Sequence, residues 1–371
     1  MRITVDRSQF LKSLGRVHRV VERRNTVPIL SNVLIDADNG GVQLKATDLD
    51  LEITESFTAN VKQAGAITVP AHLLYDIVRK FADGSEIVLS VDENQANTMS
   101  VVSGCAHFQL QCLPKVDFPE SLPGQFGYRF SLPASGLKHL LDCTQFAIST
   151  EETRYYLNGI YFHVINDGVL KLRLVATDGH RLAQVDMEAP SGVDGMPGVI
   201  IPRKTVGELQ KLLSEEIDGD VCVELSETKI RFSVGSVVLI SKLIDGTFPD
   251  YQRVIPLGND KKLVVNRQDF SSAVDRVSTV SSDRGRAVKL TIEQGQLKLV
   301  VNNPDSGSAE DQLSVTYTSD PLEIGFNSRY LLDIAGQLSN DEMVFMLSDA
   351  VAPALIRDHA DALYVLMPIR V

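Results

Sequence analysis

Residues 176–182 read Ala-Thr-Asp-Gly-His-Arg-Leu, and the same first three letters stand at residues 46–48, an offset of 130. The dipeptide Phe-Pro occurs at 118–119 and again at 248–249, at the same offset. A run of β-branched residues ending in proline occurs at 67–70 and at 199–202, each time followed by a helix-like stretch. Several matches at nearly one spacing indicate a repeated structural unit.

A third, weaker copy follows the same order. The string Gly-Val-Leu-Lys-Leu at 168–172 resembles Gly-Gln-Leu-Lys-Leu at 295–299, an offset of 127. The run Ile-Gly-Phe-Asn at 324–327 leads into another helix-like stretch. We therefore predict three domains, at residues 1–122, 123–256 and 257–371, each within the usual size of a domain.

Each copy has the same predicted sequence of elements: a strand, a helix, alternating strands, a second helix and closing strands. The first helices are predicted at 8–21, 135–147 and 268–280, and the second helices at 71–81, 204–213 and 328–338. Runs of strands around two separate helices are typical of α+β units with antiparallel sheets.

The composition limits the possible functions. The 371 residues carry 36 Lys and Arg against 48 Asp and Glu, a net charge of −12, and 44% are hydrophobic. This excludes a wholly disordered chain and disfavours a generally basic nucleic-acid binder. No apolar run approaches the roughly 20 residues that span a bilayer, and the first residues lack a hydrophobic signal core, so we predict a cytosolic protein.

The first helix carries two opposed stripes. Its apolar residues recur at i, i+4, i+7 and i+11, and its cations recur with the same spacing on the opposite face. The apolar stripe comprises Phe10, Leu14, Val17 and Val21, and the basic stripe comprises Lys12, Arg16, Arg19 and Arg23. In an acidic chain this pattern favours a surface that meets an anion, with an ordinary solvated helix face as the alternative.

Most catalytic and cofactor motifs are absent from the sequence. No GxxxxGK[ST], GxGxxG, HExxH or GxSxG occurs, which argues against NTPase, dinucleotide, metalloprotease and serine-hydrolase chemistry. The cysteines form no CxxC pair, and two ligands such as Cys105 and His107 make a poor metal site. We predict inert thiols, no metal and no cofactor.

Two polar clusters have competing interpretations. Residues 48–52 place three carboxylates on a predicted strand, either as a solvated face with Leu49 and Leu51 turned inward or as a divalent-metal site. Asp178 and His180 suggest either a structural turn, a binding site or acid–base catalysis. No nucleophile or third ligand stands near them in sequence, so we favour the turn.

Two further stretches suggest binding. Arg154-Tyr155-Tyr156 places a cation beside aromatic rings, which suits phosphate and base contacts, although tyrosines packing at a strand start fit equally well. The last residues, 364–371, are largely apolar, which predicts a docked strand or part of a groove. The flexible thioether of Met367 suits an adaptable peptide-binding surface.

Five stretches resemble one known family, in order over nearly the whole chain. They read Thr26-Val27-Pro28-Ile29-Leu30, Arg154-Tyr155-Tyr156-Leu157-Asn158-Gly159, Ala176-Thr177-Asp178-Gly179-His180-Arg181-Leu182-Ala183, Ser241-Lys242-Leu243-Ile244-Asp245-Gly246 with Phe248-Pro249-Asp250-Tyr251, and Met367-Pro368-Ile369-Arg370-Val371. The family is that of the bacterial sliding clamps, the beta subunits of DNA polymerase III.

The resemblance implies an α+β chain of three clamp domains, with helices inside and antiparallel sheets outside. Two chains would close a pseudo-sixfold ring as a head-to-tail homodimer around duplex DNA. The ring would bind the DNA without sequence preference. Such a protein is a non-catalytic processivity factor in the cytoplasm, associated with the nucleoid. It tethers the replicative polymerase, the clamp loader and other proteins that carry a short clamp-binding motif, and it needs no cofactor.

The resemblance also implies site residues. A partner-peptide cleft between the second and third domains is expected at Leu157, Thr177, Gly179, His180, Arg181, Leu182, Pro249, Arg253, Val254, Asn327, Tyr330, Val351, Val365, Leu366, Met367, Pro368, Ile369 and Arg370. DNA contacts are expected at Arg24, Arg154, Tyr155 and Tyr156, to which we add Lys12, Arg16, Arg19, Arg23, Arg203 and Lys204. The dimer interface is expected at Phe108, Leu110, Val280, Asp305, Glu310 and Asp311.

The sequence departs from the family pattern at two positions. Val371 stands where members often end in Leu, and Gly285 stands where some carry an aromatic.

Two alternatives stay open on the sequence. One is an enzyme that uses Asp178, His180 and Arg181, and the other is a monomeric three-repeat scaffold that binds only proteins.

Overall fold

The repeat predicted from sequence is visible in the order of elements. In the computed structural model, residues 1–38, 40–92, 97–121, 124–215, 218–281, 286–358 and 361–371 are described. The first copy comprises β1 (Arg2–Asp6), α1 (Arg7–Val17), β2 (Asn32–Asp38), β3 (Gly41–Thr47), β4 (Leu51–Phe57), β5 (Asn60–Gln63), β6 (Gly65–Pro70), α2 (Ala71–Val78), β7 (Glu86–Val91), β8 (Thr98–Ser103) and β9 (Ala106–Gln111).

The second and third copies repeat this order. The second comprises β10 (Tyr128–Pro133), α3 (Ala134–Gln145), β11 (Gly159–Asn166), β12 (Leu170–Thr177), β13 (Arg181–Glu188), β14 (Val199–Pro202), α4 (Arg203–Leu213), β15 (Asp220–Leu225), β16 (Lys229–Val234) and β17 (Val237–Lys242). The third comprises β18 (Lys261–Asn266), α5 (Arg267–Ser278), β19 (Ala287–Glu293), β20 (Gln296–Asn303), β21 (Gly307–Ser314), β22 (Thr316–Tyr317), β23 (Leu322–Asn327), α6 (Ser328–Ala335), β24 (Glu342–Leu347), β25 (Ala354–Asp358) and β26 (Ala362–Leu366).

The predicted helices all exist, and each begins within one residue of its predicted start. Most end two to four residues early. After α1 the backbone bonds tighten, because the amide of Val20 donates to Val17 and that of Val21 donates to His18. α1 therefore ends at Val17 and not at Val21, and the chain continues in tighter turns.

One compact unit comprises Met1–Leu137, Pro190–Val193 and Gly207–Leu243. It holds a five-stranded sheet in the order β5-β1-β7-β8-β9 and an eight-stranded sheet in the order β10-β15-β16-β17-β4-β3-β2-β6. The larger sheet joins strands of two copies through the antiparallel pair β4–β17. Phe10, Leu14 and Val17 of α1 are fully buried in this unit.

The other unit comprises Lys138–Ala189, Asp194–Val206 and Ile244–Val371. It holds a nine-stranded sheet in the order β14-β11-β12-β13-β26-β25-β24-β18-β22 and a four-stranded sheet in the order β21-β20-β19-β23. Here too a pair of strands, β13–β26, joins two copies. The predicted α+β class with antiparallel sheets is confirmed, whereas the three domain limits stay a prediction. The first of these limits, at 122–123, lies outside the described residues.

The motif at 46–48 forms the turn between β3 and β4. Thr47 Oγ1 donates to the Leu51 carbonyl at 2.9 Å, and Asp48 Oδ1 accepts the Leu51 amide at 2.7 Å. Leu49 adopts a positive φ of 78° and is 46% exposed. The interpretation of residues 48–52 as one strand face with Leu49 inward is therefore wrong, because β4 begins only at Leu51.

The motif at 176–178 forms the same turn in the second copy. Thr177 Oγ1 donates to the Arg181 carbonyl at 2.6 Å, and Asp178 Oδ1 accepts the Arg181 amide at 3.0 Å. Gly179 has a φ of 87°, the left-handed conformation that Leu49 adopts in the first copy. The sequence match at offset 130 thus reflects one repeated hairpin turn.

Within the described residues, no helix is long and apolar enough to cross a membrane.

Candidate functional site

The apolar chain end is docked as a strand, as predicted. β26 pairs with β13, so that Leu366 lies opposite Arg181. Beyond β26 the amide of Met367 donates to the His180 carbonyl at 2.9 Å, and the amide of Ile369 donates to the Gly325 carbonyl at 2.8 Å. The last residues therefore run from the turn at 177–180 to β23, and both anchors are backbone hydrogen bonds.

An apolar bed that includes Val365 lies against the docked strand β26. It is one buried cluster of Leu157, Val175, Leu182, Ile200, Phe248, Tyr251, Leu355 and Val365. Three of its members, Leu157, Leu182 and Val365, were predicted to line the cleft. Three other predicted cleft residues are unusually exposed for apolar side chains: Val254 at 48%, Val351 at 77% and Met367 at 38%. An apolar bed beside exposed apolar side chains is typical of a peptide-binding groove.

A stack of aromatic rings supports the bed. The Tyr161 ring stacks on Phe248 at 4.9 Å and on His163 at 4.2 Å. His163 Nε2 lies 3.0 Å from the Tyr251 hydroxyl, which also accepts a hydrogen bond from Arg173 at 3.3 Å. Burial lowers the pKa of His163 to about 4, so the imidazole is neutral at pH 7. Sequence reasoning missed this support, because no local pattern links residues 161–163 to 248–251.

Arg181 is largely buried and lines a pocket with His180 and Tyr330. Its side chain donates to Asp178, to Asp333 and to the Phe146 carbonyl. Its guanidinium lies 5.0 Å from the Phe146 ring and 4.3 Å from the Tyr330 ring. Arg181 therefore holds the Tyr330 ring in place, and its contact with a peptide stays a prediction.

The turn between β12 and β13 uses the carboxylate that the enzyme hypothesis needs. Asp178 Oδ1 accepts the amide of His180 at 2.9 Å, and Oδ2 accepts a hydrogen bond from Arg181 at 3.2 Å. The His180 ring is exposed and stacks on Tyr330 at 6.4 Å. Asp178 therefore stabilises the turn, which is the interpretation favoured from sequence.

The remaining predicted cleft residues differ in exposure. Thr177, Asn327, Tyr330, Pro368 and Ile369 are half-buried, Leu366 is buried, and Gly179, Pro249, Arg253 and Arg370 are exposed. Arg253 pairs with Asp250 at 2.7 Å. Asn327 caps α6, because its Oδ1 accepts the amide of Arg329 at 3.0 Å.

The predicted basic stripe is interrupted by ion pairs. Arg16 is only 7% exposed and bonds Glu55 at 2.7 Å and Glu215 at 2.6 Å. Burial alone would lower the pKa of Arg16, but its bonds and charges with the two glutamates raise it above its ordinary value. Arg19 pairs with Glu215 at 3.1 Å and with Glu208 at 3.4 Å.

The prediction that these two arginines face DNA is therefore wrong for Arg16, which is buried and bonded to Glu55 and Glu215. For Arg19 it stays a prediction, although Glu208 and Glu215 hold its side chain. Arg19 and Arg23 also lie beyond the end of α1. Lys12, Arg23 and Arg24 are exposed, so they keep the predicted role.

Replacing Arg16 by Met is expected to destabilise the protein by about 3 kcal/mol, because the buried carboxylate of Glu55 loses its partner and, among the described residues, Glu215 keeps only Arg19. Thermal unfolding followed by circular dichroism would show the lowered midpoint. Lys12→Met is the matched control, since Lys12 is exposed on the same helix and should leave the midpoint unchanged. Equal midpoints for the two variants would contradict a structural role for Arg16.

The Arg-Tyr-Tyr stretch lies in a short 3-10 helix, Glu152–Leu157. Arg154 pairs with Glu151 at 3.0 Å and donates to the Asp178 carbonyl at 3.3 Å, so it lies against the turn at 177–180. Tyr155 is 55% exposed and meets Tyr156 edge-on at 5.8 Å.

The start of α4 lies beside this stretch. The amide of Arg203 donates to the Asn158 carbonyl at 2.9 Å, and the Arg203 side chain is exposed while Lys204 is half-buried. The structure therefore brings Arg154, Tyr155, Tyr156 and Arg203 into one neighbourhood.

The predicted interface residues lie on or near two strands at sheet edges. Phe108 on β9 is exposed and packs edge-on against Phe81 at 5.8 Å. Leu110 on the same edge strand is 5% exposed, and its place at the interface stays a prediction. Gly285 lies outside the described residues.

The second edge strand, β21 of the four-stranded sheet, carries charges that are already paired within the chain. Glu310 bonds Lys298 at 2.7 Å, and Asp311 bonds Arg276 at 2.7 Å, which holds the pKa of the Asp311 carboxyl below its ordinary value. Val280 is half-buried and Asp305 is exposed.

Comparison with known proteins agrees with this architecture. The N-terminal, central and C-terminal domain models of the DNA polymerase III beta subunit match residues 1–123, 131–250 and 252–370.

The chain belongs to the DNA polymerase III beta subunit family.

Relatives match this family member over their full lengths. The beta sliding clamp of Caulobacter vibrioides (strain NA1000 / CB15N) is 47% identical over 374 residues, and that of Escherichia coli (strain K12) is 39% identical over 375, each with 100% of both chains covered. A DnaN sliding clamp from Bartonella birtlesii bound to griselimycin is 87% identical, with a TM-score of 0.97 and 100% of both chains covered. One from Pseudomonas aeruginosa bound to griselimycin is 39% identical, with a TM-score of 0.93 and the same coverage.

The family membership confirms the resemblance found in the sequence and the three-clamp-domain fold. A sliding clamp is a processivity factor, so this chain is not the catalytic subunit and the enzyme hypothesis is wrong.

Proposed function

We propose that two chains of this protein close head to tail around duplex DNA. They tether the polymerase and other partners through short partner peptides that bind in the cleft. One observation supports the closure: the sheets of neighbouring copies of the repeat join in the same way each time. In both internal junctions, the last strand of one copy pairs with the third strand after the first helix of the preceding copy.

The rule is the same in both junctions down to the register. β17, the last strand of the second copy, pairs with β4 of the first and places Val237 opposite Glu55. β26, the last strand of the third copy, pairs with β13 of the second and places Ala362 opposite Val185. Glu55 and Val185 are equivalent, because each pairs with the residue three before the end of the preceding strand, Leu44 or Leu174.

One strand of each kind is left at a sheet edge. β9 is the last strand of the first copy, and β21 is the third strand after the first helix of the third copy. An exposed edge presents unpaired backbone donors and acceptors to another chain. Two such junctions form when β9 of each chain pairs with β21 of the other. The result is a closed ring of two chains and six repeats, with a twofold axis.

The register of this third junction follows from the other two. Glu310 pairs with Val300, three residues before the end of β20, so it is the equivalent of Glu55 and Val185. Ala106 begins β9 as Val237 begins β17. We therefore expect Ala106 to lie opposite Glu310, and Phe108 opposite Ser308, in the dimer.

The cleft is the proposed tether. A short peptide with apolar anchors would lie on the bed around Leu157, Leu182 and Val365, beside the exposed Val351 and Met367. The stacked His180 and Tyr330 would orient its polar groups. Griselimycin, which the Bartonella and Pseudomonas relatives bind, is expected to compete for this cleft.

The proposed DNA contacts are few, and all are exposed or half-buried. They are Lys12, Arg23, Arg24, Arg154, Tyr155, Tyr156, Arg203 and Lys204, without Arg16 and with Arg19 only as a secondary contact. Cations that bind phosphate position DNA without reading its sequence, and weak salt-sensitive contacts permit sliding. The net charge of −12 would discourage adhesion to DNA outside the ring. A protein that acts on DNA works in the cell interior, and we propose that this protein associates with the nucleoid.

Topology gives the test of encirclement. Loaded by its clamp loader, the protein is expected to stay on nicked circular DNA far longer than on the same DNA made linear, because a ring leaves only at an end. Retention would be measured by gel filtration of labelled protein with each DNA. Equal release from both would refute encirclement, and a sedimentation mass of one chain at micromolar concentration would support the monomeric scaffold instead.

A further inference from the structure

A second concave site adjoins the peptide cleft. It is a pocket of about 520 Å³ whose wall includes His180, Asn327 and Tyr330. These three residues also belong to the proposed cleft, so a peptide bound there has direct access to the pocket. The volume is in the range of pockets that hold a small ligand or an inserted side chain.

Three arginines from separate elements converge on this pocket. Arg203 is the first residue of α4, Arg286 precedes β19, and Arg329 lies in the first turn of α6. Among the residues that the structure describes, no carboxylate forms an ion pair with any of the three. The carbonyl of Arg286 accepts the Ser328 amide at 2.8 Å, which holds Arg286 beside Arg329.

The acidic residues of the wall do not balance these charges. Asp178 and Asp333 are both bonded to the buried Arg181, and Glu151 is paired with Arg154 at 3.0 Å. The uncompensated charge of the pocket is therefore positive. Asn327 already caps α6, so the arginine side chains and not the helix end are the source of attraction for an anion.

We propose that this pocket binds an acidic side chain of a partner peptide whose apolar anchors occupy the cleft. This inference rests on the proposed function of the cleft. A guanidinium pairs with a carboxylate through two parallel hydrogen bonds, which suits Asp or Glu. A stiff DNA duplex would not enter a concave pocket of this size, whereas a flexible peptide side chain reaches its floor.

The test compares peptides that differ only in one side-chain group, a carboxylate in Glu or a neutral amide in Gln. A fluorescent peptide with apolar anchors for the cleft carries one Glu at each of three positions before the anchors in turn. Each Glu peptide is matched by a peptide with Gln at that position. At low salt, one Glu position is expected to bind the whole protein about tenfold tighter than its Gln match. The advantage should shrink as salt is raised.

The double substitution Arg286→Gln and Arg329→Gln is expected to abolish that tenfold preference and leave the affinity for the Gln peptide unchanged. Arg357→Gln, an exposed arginine on β25 outside the sites described, is the matched control and should keep the preference. Thermal midpoints of all variants establish that each is folded.

The outcomes separate the two proposals. If Glu and Gln peptides bind the unsubstituted protein equally at all three positions, or if the preference survives the double substitution, the pocket proposal is wrong and the cleft stands. If neither peptide binds, the cleft proposal fails and the pocket proposal fails with it. If the double substitution shortens retention on circular DNA and spares the peptide preference, the arginines serve DNA and the pocket proposal is overturned.

Discussion

A chain with cysteines at positions 106 and 310 is expected to form a covalently closed dimer under mild oxidation, seen as a doubled mass on a non-reducing gel. Ala106 and Glu310 are predicted to be direct partners across the β9–β21 junction. In the equivalent internal junction, the amide of Ser56 donates to the carbonyl of Ser236. The next pair, Glu55 and Val237, is therefore of the type without mutual hydrogen bonds, whose side chains approach most closely.

That geometry suits a disulfide, which needs Cβ atoms about 3.8 Å apart. The exposed Cys105 would first be replaced by Ser, because it neighbours the new thiol and is the one fully accessible cysteine in the described chain. Once oxidised on circular DNA, the ring should resist release even in high salt, since both junctions are then covalent.

The control moves one cysteine by a single residue, to position 311. Neighbouring residues of a strand point to opposite faces of the sheet, so the pair 106 and 311 should cross-link poorly. Efficient linkage at 311 and not at 310 would show that the register is wrong. A protein that sediments as one chain and links at neither position would refute the β9–β21 junction itself.

Replacing Gly325 by Val is expected to weaken binding of a partner peptide by roughly a hundredfold while the dimer stays intact. A Cβ at Gly325 would lie 2.4 Å from Val371 Cγ1 and 2.7 Å from the Ile369 carbonyl. Neither distance is tolerable, so the chain end must leave β23. Met367 and its neighbours then lose their place beside the apolar bed, and each lost apolar contact costs about 1–3 kcal/mol of binding.

Gly258→Val is the matched control, because a Cβ at Gly258 would meet no atom within 4 Å. Peptide affinity would be measured by fluorescence anisotropy, and the oligomeric state by sedimentation. Deleting residues 367–371 should reproduce the loss without altering the dimer. Full peptide affinity in either the Gly325 variant or the truncated chain would refute the cleft.

Val371 is smaller than the Leu with which members of the family often end. Its side chain lies directly over Gly325, in the space that an added Cβ would need. The departure noted in the sequence therefore falls on the contact that holds the chain end, and not on the buried bed.

Local patterns in the sequence were sufficient for the repeat, the α+β class and the starts of the helices. Turn chemistry acts over a few residues, so Thr-Asp at 47–48 and at 177–178 predicts the same hairpin without knowledge of the rest of the chain. The apolar chain end was predicted to dock for a similar reason, because a run of apolar residues must be buried somewhere.

The tertiary structure decided which charged groups remain available. The spacing of Arg16 indicates a solvent-facing cation, yet its partner Glu215 lies 199 residues away and no local pattern connects them. The sequence likewise gives no sign that Arg181 is held by Phe146, Tyr330 and Asp333, which the fold places around it.

The sequence by itself determined the repeated unit and the family, because periodicity, turn residues and family motifs are properties of neighbouring positions. Only the tertiary structure decided that β9 and β21 remain at sheet edges while their equivalents β17, β26, β4 and β13 are paired within the chain. Strand pairing is a long-range interaction between backbone groups that every sequence carries, so it becomes visible only when the strands are brought side by side.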